Sequence, residues 1–277
     1  MLHSLWKAFR ICQAIKVNSP SHLVLPCRLL RFIKKYKMKS ALVTGANKSI
    51  GFETARKLAQ LGYFVYIGSR DKTKGFKAIE NLKLMGLTNV DCIQLDVADL
   101  NSIKAASQEI ESKTQKLDIL INNAGISGGF PQPATKVSID TLRIVFETNF
   151  FGAIQVTQEF IELLKKSDQP RIVNVTTELS SLTNHSDPNW KFAQFKPAAY
   201  GPSKTALNAY TVMLAAELKD TNFKINCVCP GFTATDFNNH RGDKKVEDAA
   251  TVIVKYATLD KDGATGKFLS AEGETAW

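Results

Sequence analysis

Short apolar runs alternate with amphipathic segments from Met38 to the C-terminus. Six runs rich in Val, Ile and Leu have the length of buried strands: SALVTG from 40, YFVYIGS from 63, VDCIQL from 90, LDILINN from 117, RIVNVT from 171 and KINCVCP from 224. Between them, apolar spacing predicts helices over Ile50–Leu61, Lys72–Leu84, Ser102–Lys113, Ile139–Lys165 and Ala198–Lys219. Strands this apolar are typical of parallel strands covered by helices on both faces. The pattern predicts a doubly wound α/β sheet that binds ligands at the carboxyl ends of its strands.

Residues 38–277 contain no Pro- or Gly-rich linker, so the pattern favours a single domain. At 44% hydrophobic and 22% charged residues, the composition is that of a globular protein. It excludes a chain that is disordered throughout, a collagen-like chain and a disulfide scaffold. No internal repeat is visible, and no apolar run approaches the roughly 18–20 residues of a membrane-spanning helix.

The formal net charge of +10 suggests at first a partner that is a polyanion. Residues 1–37 carry eight of the 36 Lys and Arg and none of the 26 Asp and Glu. That leaves 28 basic against 26 acidic residues, a net charge of +2, in residues 38–277. A nearly neutral body without a basic, aromatic stripe argues against nucleic acid as the partner.

The first 37 residues are expected to be a separate N-terminal extension. Their basic, acid-free and partly amphipathic character is typical of an organelle transit peptide. The alternative is an untranslated or disordered leader, because Met38 begins a self-sufficient domain at MKSALVTG. The expected compartment is accordingly the cytoplasm, or the mitochondrial or another organelle matrix.

Five cysteines are present, of which Cys12 and Cys27 lie in the extension. Cys92, Cys227 and Cys229 lack metal-ligand spacing and neighbouring histidines, so no metal site is predicted. Cys227 and Cys229 point to one face of a buried strand, where cysteine acts as a small hydrophobe. Reduced thiols fit a cytosolic or organelle-matrix protein.

The first strand ends in TGANKSIG, Thr44 to Gly51, and opens directly into a helix. Such a turn places backbone N–H groups and the positive helix terminus against a pyrophosphate. Gly45 is expected to make the tight turn, and Gly51 to let the helix pack close to the strand. The alternative is a structural turn without a ligand.

Three motifs in order resemble the short-chain dehydrogenase/reductase family: TGxxxGxG, here with Ser49 for the middle glycine, NNAG at 122–125 and YxxxK at 200–204. VTGANKSIG, GSRD and TNFFG are similar to its carbonyl-reductase branch, and the resemblance covers 39–277. It implies a single-domain Rossmann fold with a mostly parallel sheet of seven strands. Ser49 either crowds the phosphate or donates a hydrogen bond to it.

The end of the second strand decides between the two nicotinamide cofactors. An acidic residue there would bind the ribose 2′-hydroxyl, whereas Ser69 and Arg70, with Lys48 in the loop, favour the 2′-phosphate of NADP(H). Asp71 supports the alternative, NAD, but a helix N-cap also explains it.

The resemblance implies a set of cofactor-binding residues. They are Gly45, Asn47, Lys48, Ser49, Ile50, Gly51, Arg70, Asp96, Val97, Asn123, Ala124, Gly125, Tyr200, Lys204, Pro230, Gly231, Thr233 and Thr235.

Tyr200 and Lys204 stand four residues apart on one helix face. A free tyrosine has a pKa near ~10, which a nearby ammonium and the oxidised nicotinamide lower. The resemblance implies that Tyr200 is the acid–base group, that Lys204 tunes it, and that Asn149 in TNFFG supports a water relay. Thr177 stands where the family has serine; Ser180 and Ser181 are the alternatives if the loop shifts.

The 22 residues between Thr177 and Tyr200 form a longer segment than is usual in the family. Trp190, Phe192 and Phe195 either wall a substrate pocket or cover a domain edge or subunit interface. The segment TDFNNHRGDKK, residues 235–245, is the expected substrate lid.

The resemblance implies an oxidoreductase that transfers hydride from NADPH to the carbonyl of an aldehyde, ketone or quinone, or runs the reverse alcohol oxidation. The alternative is an NADP(H)-binding sensor or scaffold with weak catalysis. The expected partner is a small carbonyl substrate, with neither nucleic acid nor a membrane-spanning segment. The chain is expected to be a monomer or a homo-oligomer, dimer or tetramer.

Overall fold

The computed structural model describes residues 38–277. The expectations for residues 1–37, including Cys12 and Cys27, lie outside the described residues.

The strands of the described region are β1 (Ser40–Thr44), β2 (Phe64–Ser69), β3 (Val90–Gln94), β4 (Ile119–Asn122), β5 (Arg171–Val175), β6 (Lys224–Val228), β7 (Phe268–Ser270) and β8 (Gly273–Glu274). The α-helices are α1 (Ser49–Gln60), α2 (Lys72–Leu84), α3 (Leu100–Lys113), α4 (Ile139–Phe146), α5 (Gly152–Lys165), α6 (Leu182–Ser186), α7 (Tyr200–Glu217) and α8 (Val246–Ala257). The six expected strands and the α1, α2 and α3 helices lie where the apolar pattern predicts them.

The sheet has the order β3-β2-β1-β4-β5-β6-β7-β8. The first seven strands are parallel, and β1 pairs with both β2 and β4, so the chain reverses its winding direction beside β1. Val43 lies opposite Ile67 on one side and Ile121 on the other. The carboxyl ends of β1, β4 and β5 therefore meet at one edge, as the doubly wound prediction requires.

The doubly wound α/β fold is confirmed, and the sheet has one strand more than the expected seven. The eighth, β8, is a two-residue antiparallel strand that pairs with β7. Gly273, with φ 114°, allows the tight reversal between them. A strand this short leaves no alternation of apolar and polar residues for a sequence pattern to detect.

Alternate residues of each strand enter opposite hydrophobic layers. Ala41 and Val43 of β1 pack with residues of α1, α2 and α8. Leu42, between them, packs with α3 and α5 on the other face. Both faces are thus covered, which explains why the strands are apolar throughout.

The helix expected over Ile139–Lys165 is interrupted by a π-helical turn, Glu147–Phe151. The extra residue in this turn sets Asn149 into the interior, where it is fully buried. Helix α8 has no counterpart among the expected elements. Its signal was present, because Ala249, Ile253 and Ala257 repeat every four residues and all are buried.

Cys92, Cys227 and Cys229 are free and buried, and Cys227 and Cys229 pack with Phe268. Burial raises the pKa of the Cys92 and Cys229 thiols to about 11 and that of Cys227 to about 12. These three cysteines are therefore core residues, as expected for Cys227 and Cys229. Within 38–277, no helix is long and apolar enough to cross a membrane.

Candidate active site

The turn between β1 and α1 has no room for side chains at two glycines. Gly45 has φ 63°, and a β-carbon there would lie 3.0 Å from the Ala124 Cα. A β-carbon at Gly51 would lie 2.5 Å from Asn123 Nδ2 and 2.6 Å from the Gly45 carbonyl oxygen. The structure thus gives both glycines the steric roles expected of them. Asn47 and Ile50 are half-buried in the same turn.

Ser49, at the first position of α1, adopts φ 52°. This left-handed conformation costs an L-residue with a β-carbon roughly 1–2 kcal/mol. The preceding Lys48 gives the helix no side-chain cap. Ser49 therefore occupies a backbone conformation that glycine adopts without strain.

The NNAG segment is tied to the glycine turn through Thr44, which the sequence analysis did not single out. Thr44 Oγ1 accepts hydrogen bonds from the N–H groups of Asn123 and Ala124, both at 3.0 Å. Asn123 Nδ2 donates to the Thr44 carbonyl oxygen at 2.9 Å. One hydroxyl at the end of β1 therefore positions two backbone amides of the neighbouring loop.

Arg70 is exposed beside a cavity of about 600 Å³ at the ends of β2 and β3. Gln94, Asp96 and Ser102 also line this cavity, and Val97 beyond it is buried. Asp71 is the N-cap of α2, because its carboxylate accepts the Lys74 N–H at 3.1 Å. That hydrogen bond is the main reason why the pKa of Asp71 is lowered.

Lys48 pairs with the loop that follows β6. Its ammonium lies 2.8 Å from Asp236 Oδ2, and His240 Nε2 lies 3.1 Å from Asp236 Oδ1. Lys48 and Asp236 are 188 residues apart in sequence, and both side chains are largely exposed. The glycine turn and the expected lid are therefore joined by an ion pair.

Lys204 is almost completely buried on α7, with 4% of its surface exposed. Its ammonium donates to the Val175 carbonyl oxygen at 2.8 Å, at the carboxyl end of β5. Burial lowers the pKa of Lys204 from 10.5 to about 8. A charged and a neutral form of this side chain are thus both accessible near neutral pH.

Tyr200 begins α7, and burial raises the pKa of its phenol above the ordinary value of 10.0. A side-chain hydrogen bond with Thr177 acts in the opposite direction and is the weaker effect. Desolvation is the larger effect, because it disfavours the phenolate. The lowering of this pKa by Lys204 and the oxidised nicotinamide that the sequence analysis expects stays a prediction.

Thr177 lies just after β5, where its Oγ1 accepts the Leu179 N–H at 3.3 Å. The two alternative serines are engaged elsewhere. The Ser180 hydroxyl donates to the Thr177 carbonyl oxygen at 2.6 Å, and Ser181 Oγ accepts the Asn184 N–H. Thr177 is therefore the hydroxyl that faces Tyr200.

Asn149 is held by the loop after β4. Its Oδ1 accepts the Ile126 N–H at 2.8 Å, and its Nδ2 donates to the Ile126 carbonyl oxygen at 2.9 Å. Nδ2 also donates to the Ser203 hydroxyl on α7 at 3.1 Å. A β-carbon at Gly125 would lie 3.1 Å from Asn149 Oδ1 and 3.5 Å from Lys204 Nζ. Because Gly125 has no β-carbon, Asn149 Oδ1 and Lys204 Nζ can both lie close to the loop after β4.

The segment after β6 is fixed by Asn238, another residue that the sequence analysis missed. Asn238 Nδ2 donates to the Thr233 carbonyl oxygen at 2.9 Å, and its Oδ1 accepts the Thr235 N–H at 3.2 Å. Gly231, which follows the buried Pro230, has φ 85° and packs against the Lys244 side chain. The expected cofactor-binding residues Pro230, Gly231, Thr233 and Thr235 therefore lie in one turn after β6.

Aromatic rings surround Tyr200. The ring centroid of Phe237 lies 5.2 Å from that of Tyr200, and Phe130 lies 6.4 Å from it. Phe195 reaches this group through Phe130, at 5.2 Å. Of the two interpretations of the segment before α7, this position of Phe195 favours a pocket wall.

Glycine-lined turns at the carboxyl ends of parallel strands, beside a Tyr–Lys helix, define a dinucleotide-binding α/β oxidoreductase. The family model described as short chain dehydrogenase matches residues 39–246. The chain belongs to the short-chain dehydrogenase family.

Proteins of known activity match over most of the chain. Salutaridine reductase from Papaver bracteatum is 32% identical, over 84% of this chain and 94% of its own length. A (+)-neomenthol dehydrogenase from Arabidopsis thaliana is 35% identical, over 83% of this chain and 95% of its own. Among solved structures, NADPH-bound carbonyl reductase from chicken fatty liver has a TM-score of 0.76 and 28% identity, covering 87% of this chain and 99% of that chain.

The resemblance inferred from the three motifs is thus confirmed, and the chain is an oxidoreductase acting on C=O or CH–OH groups with a nicotinamide cofactor. Its residues fit that cofactor. Without β-carbons, Gly45 and Gly51 let the first turn, the start of α1 and the NNAG loop pack closely together. This packing brings the N-terminal N–H groups of α1 to the carboxyl edge of the sheet, where a pyrophosphate would bind.

Proposed function

We propose that this protein is an NADPH-dependent carbonyl reductase whose substrate is a ketone, aldehyde or quinone. The observation that carries the proposal is the grouping at the end of β5. Thr177 is hydrogen-bonded to Tyr200, and Lys204 is buried one helical turn farther along α7. The names of two relatives support it, because one is an NADPH-bound carbonyl reductase and the other is a reductase of salutaridine.

Backbone groups of the glycine turn would hold the pyrophosphate, at Gly45, Asn47, Ser49, Ile50 and Gly51. Arg70 and Lys48 would bind the 2′-phosphate, which is the reason to choose NADPH over NADH. Asp96 and Val97 would contact adenine. Asn123, Ala124, Gly125, Tyr200 and Lys204, together with Pro230, Gly231, Thr233 and Thr235, would line the nicotinamide end. When bound, the reduced nicotinamide supplies the hydride.

Tyr200 donates the proton that the carbonyl oxygen needs when the carbon is reduced. Because burial raises the pKa of its phenol, Tyr200 keeps that proton at neutral pH. The Thr177 hydroxyl, already hydrogen-bonded to Tyr200, is placed to share the same carbonyl oxygen and fix its direction. Hydride at the carbon and a proton at the oxygen together give the alcohol.

Lys204 stabilises the phenolate that remains after Tyr200 has given up its proton. Its ammonium, anchored on the Val175 carbonyl, also lies beside Gly125, which Asn149 Oδ1 approaches as well. Asn149 and Ser203 extend polar contacts from this point along the interior side of α7. These groups provide a route by which a water can return a proton toward Tyr200.

The proposal is tested by following NADPH absorbance with a panel of aldehydes, ketones and quinones, and by titrating NADPH and NADH calorimetrically. We expect oxidation of NADPH by some members of the panel and tighter binding of NADPH than of NADH. NADPH binding without oxidation by any member would favour a cofactor-binding scaffold. Equal or better use of NADH would overturn the cofactor assignment.

Thr177 provides a sharper test of the site. Thr177→Ser keeps the hydroxyl and relieves the branched side chain, so we expect turnover to be kept or increased. Thr177→Ala removes the donor, and we expect a decrease in turnover of about tenfold to a hundredfold, with NADPH affinity unchanged. Equal activity of both variants would remove Thr177 from the mechanism.

A further inference from the structure

Rings from three separate segments converge on the phenol of Tyr200. Phe130 follows β4, Phe195 precedes α7, and Phe237 lies in the turn after β6. Phe130 and Phe237 each contact the Tyr200 ring, with centroids 6.4 Å and 5.2 Å from its own. The Tyr200 phenol, which is the proposed proton donor, therefore has an aromatic ring on each of two sides.

A second row of rings comes from two of the same segments, the one before α7 and the turn after β6. Trp190 lies 5.3 Å from Phe192, and Phe192 lies 5.8 Å from Phe232 in the turn after β6. Phe130, Phe195, Phe232 and Phe237 are each 39–41% exposed. Apolar surface concentrated beside a candidate site, and open to solvent, is typical of a surface that a ligand covers. We call these six residues the aromatic rim: Phe130, Trp190, Phe192, Phe195, Phe232 and Phe237.

Three cations in the segments that carry the aromatic rim already have partners. Lys191 pairs with Glu178 at 2.8 Å, and Lys244 pairs with Glu272 at 3.2 Å. The Lys196 ammonium donates to the His185 carbonyl oxygen. These three cations would have to break existing contacts before they could bind an anionic substrate.

We propose that the substrate is an uncharged ketone or aldehyde whose carbonyl is attached to an aromatic or fused-ring body, and that Phe237 and Phe130 select it by packing against that body. The inference rests on the proposed function, because it places the carbonyl at Tyr200 and the ring body on the rim. Aromatic pairs at these separations contribute beyond simple area burial, so both rings favour a flat, unsaturated partner.

The test compares four probes with the full chain and NADPH. Acetonaphthone and acetone differ in ring body, whereas methyl benzoylformate and benzoylformate differ in charge. We expect kcat/KM to be at least about tenfold higher for acetonaphthone than for acetone, and for the ester than for the acid. Calorimetric titration of acetonaphthone in the presence of NADP⁺ gives binding independently of turnover.

Phe237→Ala should decrease kcat/KM and affinity for acetonaphthone about fivefold to tenfold, and change kcat/KM for acetone by a smaller factor. Phe237→Leu keeps an apolar side chain without a ring. Its kcat/KM and affinity for acetonaphthone should lie between those of the unsubstituted protein and those of Phe237→Ala. The control is Leu84→Ala, because Leu84 is 86% exposed at the end of α2 and should change neither probe.

The outcomes separate the two proposals. Turnover of acetone and acetonaphthone with equal efficiency, or preference for benzoylformate over its ester, would overturn the inference and leave the reductase proposal standing. No NADPH oxidation with any probe, together with acetonaphthone binding that Phe237→Ala weakens, would refute the reductase proposal and support the rim as a ring-binding surface. Neither oxidation nor binding of acetonaphthone would refute both.

Discussion

The cofactor side and the substrate side of the candidate site are formed by different parts of the residues. The cofactor side is made from backbone, and β-carbons at Gly45, Gly51 and Gly125 would meet neighbouring atoms at 2.5–3.1 Å. The substrate side is made from side chains such as Phe130 and Phe237, which remain 40% and 39% exposed. Fixed backbone suits a constant ligand, whereas exposed rings on loops can differ between proteins that share the fold. Substitutions on the cofactor side should therefore have large effects on cofactor binding, whereas substitutions on the substrate side should have graded effects on substrate binding and turnover.

Gly51→Ala should have the largest effect on binding. Its β-carbon would lie 2.5 Å from Asn123 Nδ2 and 2.6 Å from the Gly45 carbonyl oxygen, so the turn must open. We expect calorimetry to show NADPH affinity reduced by about a hundredfold or more, equivalent to roughly 3 kcal/mol. Gly86→Ala is the control for a glycine substitution away from the turn, because Gly86 has φ 82° but open space around it, whereas Gly51 has no positive φ and is limited by its neighbours. If both variants bound NADPH normally, the turn would not be the cofactor cradle.

Lys204 should set the alkaline limit of carbonyl reduction. Its pKa is lowered to about 8, so above that pH the ammonium that stabilises the Tyr200 phenolate is lost. We expect kcat to decrease as pH rises through 8, approaching about tenfold per pH unit. In Lys204→Arg, which stays charged, the decrease should move to higher pH. An unchanged pH profile in this variant would contradict the role given to Lys204.

Lys204 should also affect how the free energy of unfolding depends on pH. Between pH 8 and 10.5 the unfolded chain binds the Lys204 proton and the folded chain does not, so this residue makes the free energy of unfolding rise with pH. In Lys204→Met, denaturant titrations should show a smaller rise across that window. A slope equal to that of the unsubstituted protein would mean that burial does not lower this pKa.

Ser49→Gly should stabilise the glycine turn and strengthen NADPH binding on the cofactor side. Glycine adopts the φ of 52° without the cost that a β-carbon imposes, which is about 1 kcal/mol. We expect an increase in Tm of about 2–4 °C and NADPH binding about fivefold tighter. Ser49→Ala keeps the β-carbon and should give neither gain. If alanine matched glycine, the serine hydroxyl, and not the backbone strain, would be the relevant feature.

Asp236→Asn should have the smallest effect. It removes the carboxylate 2.8 Å from Lys48 and leaves that ammonium free for a 2′-phosphate. Because the pair is exposed, we expect NADPH affinity to rise only about twofold to fivefold, with NADH affinity unchanged. Asp243→Asn makes the same charge change on the same exposed loop. Equal gains from the two variants would indicate a general charge effect.

The sequence predicted the cofactor side of the site, which is made from backbone, more fully than the substrate side, which is made from side chains. The apolar pattern locates α2 at its observed limits, Lys72–Leu84, and the motif residues lie where the turns require them. Asp71 had two interpretations, and its hydrogen bond with the Lys74 N–H explains it as an N-cap. Local patterns succeed where the physical cause is itself local.

Features that depend on distant contacts were not predictable in this way. Phe130 and Phe237 meet Tyr200 across 70 and 37 residues of sequence, and no periodicity links them. The π-helical turn at Glu147–Phe151 looks like ordinary helix in the apolar pattern, because one extra residue barely changes the repeat. Thr44 and Asn238 act by positioning neighbouring backbone, which their residue type alone does not indicate.

The central claim is that Tyr200 delivers the proton in carbonyl reduction, and Tyr200→Phe tests it most directly. The variant should be measured for turnover with the best ketone of the panel and for NADPH affinity by calorimetry. We predict a decrease in kcat of about a thousandfold or more, with NADPH affinity within about threefold of the unsubstituted protein. Near-full activity in the variant would contradict the account.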